Sequence, residues 1–347
     1  MRRIWILLLL SLITISCGQS SGTVRLVPQR YKATKSDDKI IYLKSSDNSE
    51  IILFNPDKEK VIAKYNFKNR NLYRILEEPS NNGVYASVYT EEKKIIPIYI
   101  EKATGNVYII DYFDQYSGWF GIDISSNKIY VAGINNNSTQ LYAAGLSMPN
   151  NKITEITPIP AIWNSKYRMI RYDNKLVMSL VYNDTGSQLY FPEHKISIDI
   201  VKDYFGSNDN SSLYFLGEDL LNANFLYNDE KDERNLYKLY KIEKLGPELK
   251  DIKLKLIYSM EDPFNYLFKI DNSYIVFSNG LNGEKIVRKL KIQKNKNLIM
   301  IKSPLILKEY NLKNVGSYDN FYYLLSKDSK KIAKIDKDLN LTEINIE

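Results

Sequence analysis

The chain has 347 residues, 44% hydrophobic and 26% charged, with a formal net charge of +7. That is enough apolar material for a folded body, and 15 Gly and 11 Pro are too few for a collagen-like or low-complexity chain. One Cys and one His exclude a disulfide scaffold, zinc fingers and zincin-type sites. Among the aromatic residues, Tyr stands out at 28 copies.

The chain opens on Arg2 and Arg3, followed by an apolar run from Ile4 to Ile15 broken only by Ser11 and Thr14. Twelve helical residues rise about 18 Å, short of the ~30 Å hydrocarbon core, so the run reads as a secretory signal rather than a span. It ends at Ser16-Cys17-Gly18, and Gln19, Ser20, Ser21 and Gly22 follow. Over these residues the chain resembles a bacterial lipoprotein signal of the loose kind familiar in spirochaetes. Ile15 and Ser16 fit the box, while Thr14 stands where Leu is usual. The resemblance implies cleavage before Cys17, lipid (palmitate-type) acylation of that residue and attachment to the cell envelope. Gly18 is not the Asp that marks inner-membrane retention in some bacteria, which implies the outer membrane and leaves the leaflet open. An ordinary secretory signal with an incidental Cys and an uncleaved anchor are the other readings. Residues 1–16 are thus read as signal peptide, 17–30 as lipidated Cys and tether, and 31–347 as one domain. Loss of Arg2 and Arg3 leaves 46 basic against 41 acidic residues, a net +5. No basic block with interleaved aromatics is present, so no nucleic-acid partner is expected.

The mature chain repeats a turn followed by an apolar–aromatic strand. Copies centre on Tyr42, Tyr85, Tyr130, Val177, Tyr214, Ile275 and Tyr322, at spacings of 43, 45, 47, 37, 61 and 47. A second strand follows each, centred on Leu53, Tyr99, Tyr142, Tyr190, Tyr240, Leu290 and Ile335. The offsets run from 11 to 15 except in the fifth copy, where the offset is 26. That copy holds the acidic stretch 228–234, read as a solvated insertion in a loop. Further strands precede and follow each pair, as in Lys166–Tyr172 and Lys195–Ile200. The latter shows the period-2 alternation of a strand with two unlike faces. Four short strands in each ~45-residue unit resemble the blades of a β-propeller. The expected fold is therefore all-β, a propeller of seven four-stranded blades. Six blades, or a pair of irregular β-sandwiches, are the alternatives. Strand-like Thr23–Val27 lies outside the repeats, either closing the ring or serving as tether. Residues 103–108 resemble a quinoprotein-type turn, but the pattern does not recur.

No nucleophile elbow or phosphate-cradling Gly loop is present. His194 stands alone in a turn, and the acidic stretch lacks calcium-loop spacing, so no metal or cofactor is expected. By analogy with propellers, the rim formed by the loops entering each blade, and by those joining second and third strands, is the binding face. Trp119, Trp163, Phe264 and Tyr266 fall in the entering segments and are the candidate binding residues, with inter-blade packing as their competing role. The expected role is that of an envelope lipoprotein binding or scaffolding a protein partner. A propeller enzyme or carbohydrate receptor using paired carboxylates of the central channel is the alternative.

Overall fold

The computed structural model describes residues 39–346, apart from 68–70, 78–82, 90–94, 110–120, 126–127, 136–137, 146–152, 159–165, 183–185, 207–211, 217–218, 230–231, 281 and 296. Cys17, Trp119, Trp163 and the domain boundaries at 17 and 31 lie outside the described residues.

Strands rich in Ile, Val, Tyr and Leu suit a pleated, half-buried surface, and here they form antiparallel sheets in chain order. Sheet one holds β1 (Ile41–Lys44), β2 (Glu50–Asn55) and β3 (Lys60–Asn66). Sheet two holds β4 (Asn71–Glu77), β5 (Gly83–Tyr89), β6 (Ile95–Glu101) and β7 (Val107–Ile109). Sheet three holds β8 (Gly121–Ser125), β9 (Lys128–Asn135), β10 (Ser138–Gly145) and β11 (Ile153–Pro158). Sheet four holds β12 (Lys166–Tyr172), β13 (Lys175–Tyr182), β14 (Gly186–Phe191) and β15 (Ile196–Ile198). Sheet five holds β16 (Ser212–Phe215), β17 (Leu220–Asp229), β18 (Asp232–Lys244) and β19 (Lys253–Met260). Sheet six holds β20 (Phe264–Ile270), β21 (Ser273–Asn279), β22 (Lys285–Ile292), β23 (Leu298–Met300) and β24 (Leu305–Leu307). Sheet seven holds β25 (Gly316–Tyr318), β26 (Phe321–Leu325), β27 (Lys331–Ile335) and β28 (Leu341–Asn345).

Each sheet packs on the next. Tyr42 and Leu53 of sheet one bury against Val84 and Ile100 of sheet two. Val177 and Leu189 of sheet four meet Leu213 and Leu221 of sheet five. Leu239 then meets Val276, and Phe277 meets Tyr322. Finally Ile41, Leu43 and Phe54 pack on Tyr323, Leu325 and Ile332, so the first sheet covers the last. First strands touch one another from sheet to sheet (β4 with β8, β8 with β12, β12 with β16), which places them innermost. Last strands such as β15 and β28 are mostly exposed, and they form the outer edge.

The tyrosines explain themselves in this packing. A phenol fills the wedge between sheets with its ring and satisfies its hydroxyl at the far side. Tyr65 donates to the Gly105 carbonyl (2.7 Å), Tyr172 to Glu243 (3.1 Å) and Tyr266 to Lys313 (3.0 Å), the bonds crossing to a turn of sheet two, to β18 of sheet five and to the segment leading into sheet seven.

Four details of the repeat differ from the sequence reading. Tyr214 lies on the first strand of its sheet, not the second, and the strand facing Tyr240 is β17, through Leu221. Leu221 stands 44 residues after Val177 and 54 before Ile275, which evens out the spacings. The acidic stretch belongs to a long β17–β18 hairpin paired out to Asp229 and Asp232, not to a loop insertion. Tyr322 faces sheet six, whereas Tyr42 and Ile275 face the sheet that follows them; the true counterpart is Tyr323. The strand after His194 also ends early, at Ile198, because Asp199 accepts from Lys202 N (3.1 Å) and caps a five-residue helical turn. That turn buries Ile200 and Val201.

At the seam between last and first sheets, Gly316 leaves no room for a side chain: a Cβ there would lie 1.9 Å from Ile41 Cγ2. Gly316→Ala is expected to cost about 1–3 kcal/mol through overpacking. Thermal melting would show it, and Ile41→Ala in the same chain should recover part of the loss.

Candidate binding rim

Antiparallel strands put every turn of one kind at the same end of the ring. Hydrogen bonds show that the β1–β2 and β26–β27 turns, the start of β14 and the end of β21 share an end with the segments entering the sheets. Leu72 N, at the start of β4, donates to Asn48 O in the β1–β2 turn (2.8 Å), and Lys44 Nζ reaches Leu72 O (3.4 Å). Leu213 N, entering sheet five, donates to Ser187 Oγ (3.0 Å) at the start of β14. Asn311, ahead of sheet seven, donates from both its backbone and its side chain to Leu325 O.

Two of these turns are built alike. In the β1–β2 turn, Ser45 Oγ donates to Asp47 Oδ1 (2.5 Å) and accepts from Ser49 N (3.1 Å) and Glu50 N (2.9 Å). In the β26–β27 turn, Ser326 Oγ donates to Asp328 Oδ1 (2.6 Å) and accepts from Lys330 N (3.2 Å) and Lys331 N (2.9 Å). Asp47 and Asp328 each accept a further backbone N–H two residues on. Asn48 and Ser329 take the left-handed conformation that closes the turn, with φ of 61° and 59°. The serine hydroxyls, first among several bonds, hold both Asp carboxyls below the usual carboxylate range. The shared signature is Ser-x-Asp followed by Ile six residues after the Ser, as in Ser45 to Ile51 and Ser326 to Ile332. It was present in the sequence and unread, because its meaning lies in backbone bonds.

The two turns are also joined. Ser46 Oγ donates to Lys327 O (2.7 Å), and Asn314 Nδ2 donates to Tyr42 O, so the seam between sheets seven and one is tied along this rim. Lysines gather beside it. Burial lowers Lys44 to a pKa of about 8, with the Lys313 charge adding to the effect. Lys285 is also lowered, by burial first and then by Lys327 and Lys313. In sheet six, Arg288 on β22 forms an ion pair with Asp262, ahead of β20, and donates to Ser278 Oγ on β21.

The candidate aromatics separate. Phe264 is buried, 6% exposed, among Leu239, Tyr274 and Leu290 between sheets five and six, with its ring edge-on to Tyr258. It is a packing residue: the entry of β20 turns inward because an apolar side chain at its first position fills the wedge. Tyr266 is half-buried, stacks on Phe268 (6.4 Å, 9°) and ties sheet six to Lys313. The structure therefore does not bring the two together on one exposed surface. His194 lies exposed in the β14–β15 turn, its backbone N–H bonded to Phe191 O (3.1 Å). Among the described residues, no group of three or more His, Cys, Asp or Glu comes together as a metal site would need.

No protein-family model matches the chain, and no curated protein matches it. Solved structures do. AztD from Citrobacter koseri is 12% identical, with 90% of this chain and 96% of that chain covered and a TM-score of 0.51. A candidate 6-phosphogluconolactonase from Bacteroides uniformis is 10% identical, covering 90% and 97%, with a TM-score of 0.51. The β-propeller domain of Cps50 (Swd1) from Myceliophteria thermophila is 9% identical, covering 87% and 97%, at 0.49. The neighbours are propeller proteins, and at such identities the likeness concerns the fold alone.

Proposed function

We propose that this protein is an envelope lipoprotein, attached to a membrane through acylated Cys17, whose seven-bladed propeller scaffolds a protein partner through the rim described above. The interlocked rim supports the reading most. Backbone turns of successive sheets are bonded to one another through Ser46–Lys327, Asn48–Leu72 and Ser187–Leu213, a stiff surface that loses little conformational freedom when a partner docks. Seven sheets among the described residues, each packed on the next with the last on the first, support the blade number. Arg2-Arg3, the Ile4–Ile15 run and Ser16-Cys17-Gly18 support the anchor and an outer-membrane location. Two or three acyl chains hold a protein on a bilayer far better than one, at ~0.8 kcal/mol per buried CH₂.

Trp119, Trp163 and Tyr266 are the proposed anchors of the partner. Crosslinking and pull-down from intact envelopes should recover one partner, and Trp163→Ala should lose it while the protein still melts cooperatively. Unfolding of that variant would instead assign Trp163 to packing. Cys17→Ser should move the protein from the detergent phase to the aqueous phase and abolish palmitate labelling; unchanged partitioning would refute the anchor.

A further inference from the structure

Four of the eight exposed large apolar side chains among the described residues fall on one stretch of the ring's outer edge: Ile299, Met300, Ile301 and Ile306. The outer edge of sheet six is a broken strand. β23 pairs with Leu290–Ile292 of β22, β24 pairs with Lys285–Val287, and Ile301 N bonds to Lys289 O between them. The two short strands thus run as one edge along the eight residues of β22, about 26 Å. Met300 and Ile306 are 49% and 53% exposed, unusual for an edge strand with no charge at those positions.

The patch is framed by cations. Lys302 stands in the bulge between β23 and β24, Lys308 follows β24, and Lys291 and Lys294 lie at the other end; all four are exposed. The acidic residues nearby are Glu309, Asp336 and Asp338; the Asp338 carboxylate already pairs with Lys289 (2.7 Å), Lys302 Nζ donates to the Asp338 carbonyl, and the Lys302 charge reaches Asp336. Apolar side chains ringed by lysines are complementary to a bilayer with anionic headgroups. The apolar groups enter the acyl boundary, and each lysine near the surface is attracted to the anionic headgroups. A second copy of this chain would set the same cations against one another.

We infer that the outer edge of sheet six rests on an anionic membrane surface, with the ring standing edge-on and its rims free at the sides. The inference rests on the anchored reading of the preceding subsection for its setting, since Lys39 stands 22 positions after Cys17, a reach of up to about 75 Å. Its chemistry depends on the patch alone. The test is therefore made on the full chain carrying Cys17→Ser, which cannot be acylated there, floated with phosphatidylcholine vesicles with and without about 30% phosphatidylglycerol. The protein should float with the anionic vesicles and bind neutral ones about tenfold less. Met300→Asp with Ile306→Asp, and separately Lys302→Glu with Lys308→Glu, should each lower binding at least about tenfold with an unchanged melting midpoint. No flotation overturns the inference, as does equal flotation of every variant, which would place binding in the Ile4–Ile15 run. A dimer broken by Ile306→Asp without vesicle binding overturns it in favour of a second copy. None of these outcomes depends on whether Cys17→Ser changes detergent partitioning in cells, so the two readings fail separately.

Discussion

Asp262→Ala is expected to destabilise the protein by about 3–5 kcal/mol, the cost of leaving a buried charge without its partner. The Asp262 and Arg288 side chains are only 12% and 14% exposed, so little water is available to replace the carboxylate around the guanidinium. Arg288 spends one nitrogen on Asp262 and another on Ser278 Oγ. Ser278 lies on β21, Arg288 on β22 and Asp262 in the segment entering β20, so one group joins three parts of a sheet. The whole pair is a different matter. Replacing both by apolar residues of similar size, Asp262→Leu with Arg288→Met, removes two desolvation costs together with the attraction, and such exchanges are often neutral or stabilising. Urea unfolding of the two single variants and the double should show midpoints lowered in the singles and recovered in the double, at a constant slope. Additive losses would mean that the ion pair is not the unit.

That pair also marks where reading from sequence ends. The recurring polar turn followed by an apolar–aromatic run located the strands around Tyr85 and Val177 and β12 ahead of the latter, because a strand with two buried faces must place an apolar or aromatic side chain on each. The same logic failed by one residue at Tyr322-Tyr323, where adjacent tyrosines satisfy both faces and the alternation carries no phase. It failed by a whole strand in sheet five, since Tyr214 and Leu221 both begin from polar turns. The rim was less legible still. Its bonds run between residues such as Ser46 and Lys327, 281 positions apart, or Asn314 and Tyr42, 272 apart, and no local pattern encodes them. Phe264 shows the same limit from the other side. An aromatic at the entry of a strand reads alike whether it points along the rim or into the wedge, and only the neighbouring sheet decides.

Lys44→Met is expected to stabilise the protein at pH 7 by up to roughly 3 kcal/mol, and the gain should vanish in alkali. Lys44 ends β1 at 6% exposure, and burial, reinforced by Lys313, brings its pKa to about 8 from an ordinary 10.5. Below pH 8 the ammonium is charged in both folded and unfolded chains, so the folded state bears the full cost of burying it. Between pH 8 and 10.5 the unfolded chain still holds the proton that the folded one has released. Unfolding then takes up a proton, and the native state gains stability as pH rises. Methionine fills the same space without the charge, although Leu72 O loses the amine as a donor, which trims the gain. Tyrosines act in the opposite direction over the next interval. Burial pushes the phenols of Tyr322 and Tyr323 up, as it does that of Tyr310, where Glu343 adds to the rise. The unfolded chain therefore loses these protons first, and stability falls above about pH 10. Wild-type stability should climb from pH 7.5 to about 10 and then drop. The difference between wild type and Lys44→Met cancels the tyrosines and isolates the lysine. Urea midpoints measured at intervals from pH 7 to 10.5 should converge for the two proteins; parallel curves would show that Lys44 keeps its proton throughout.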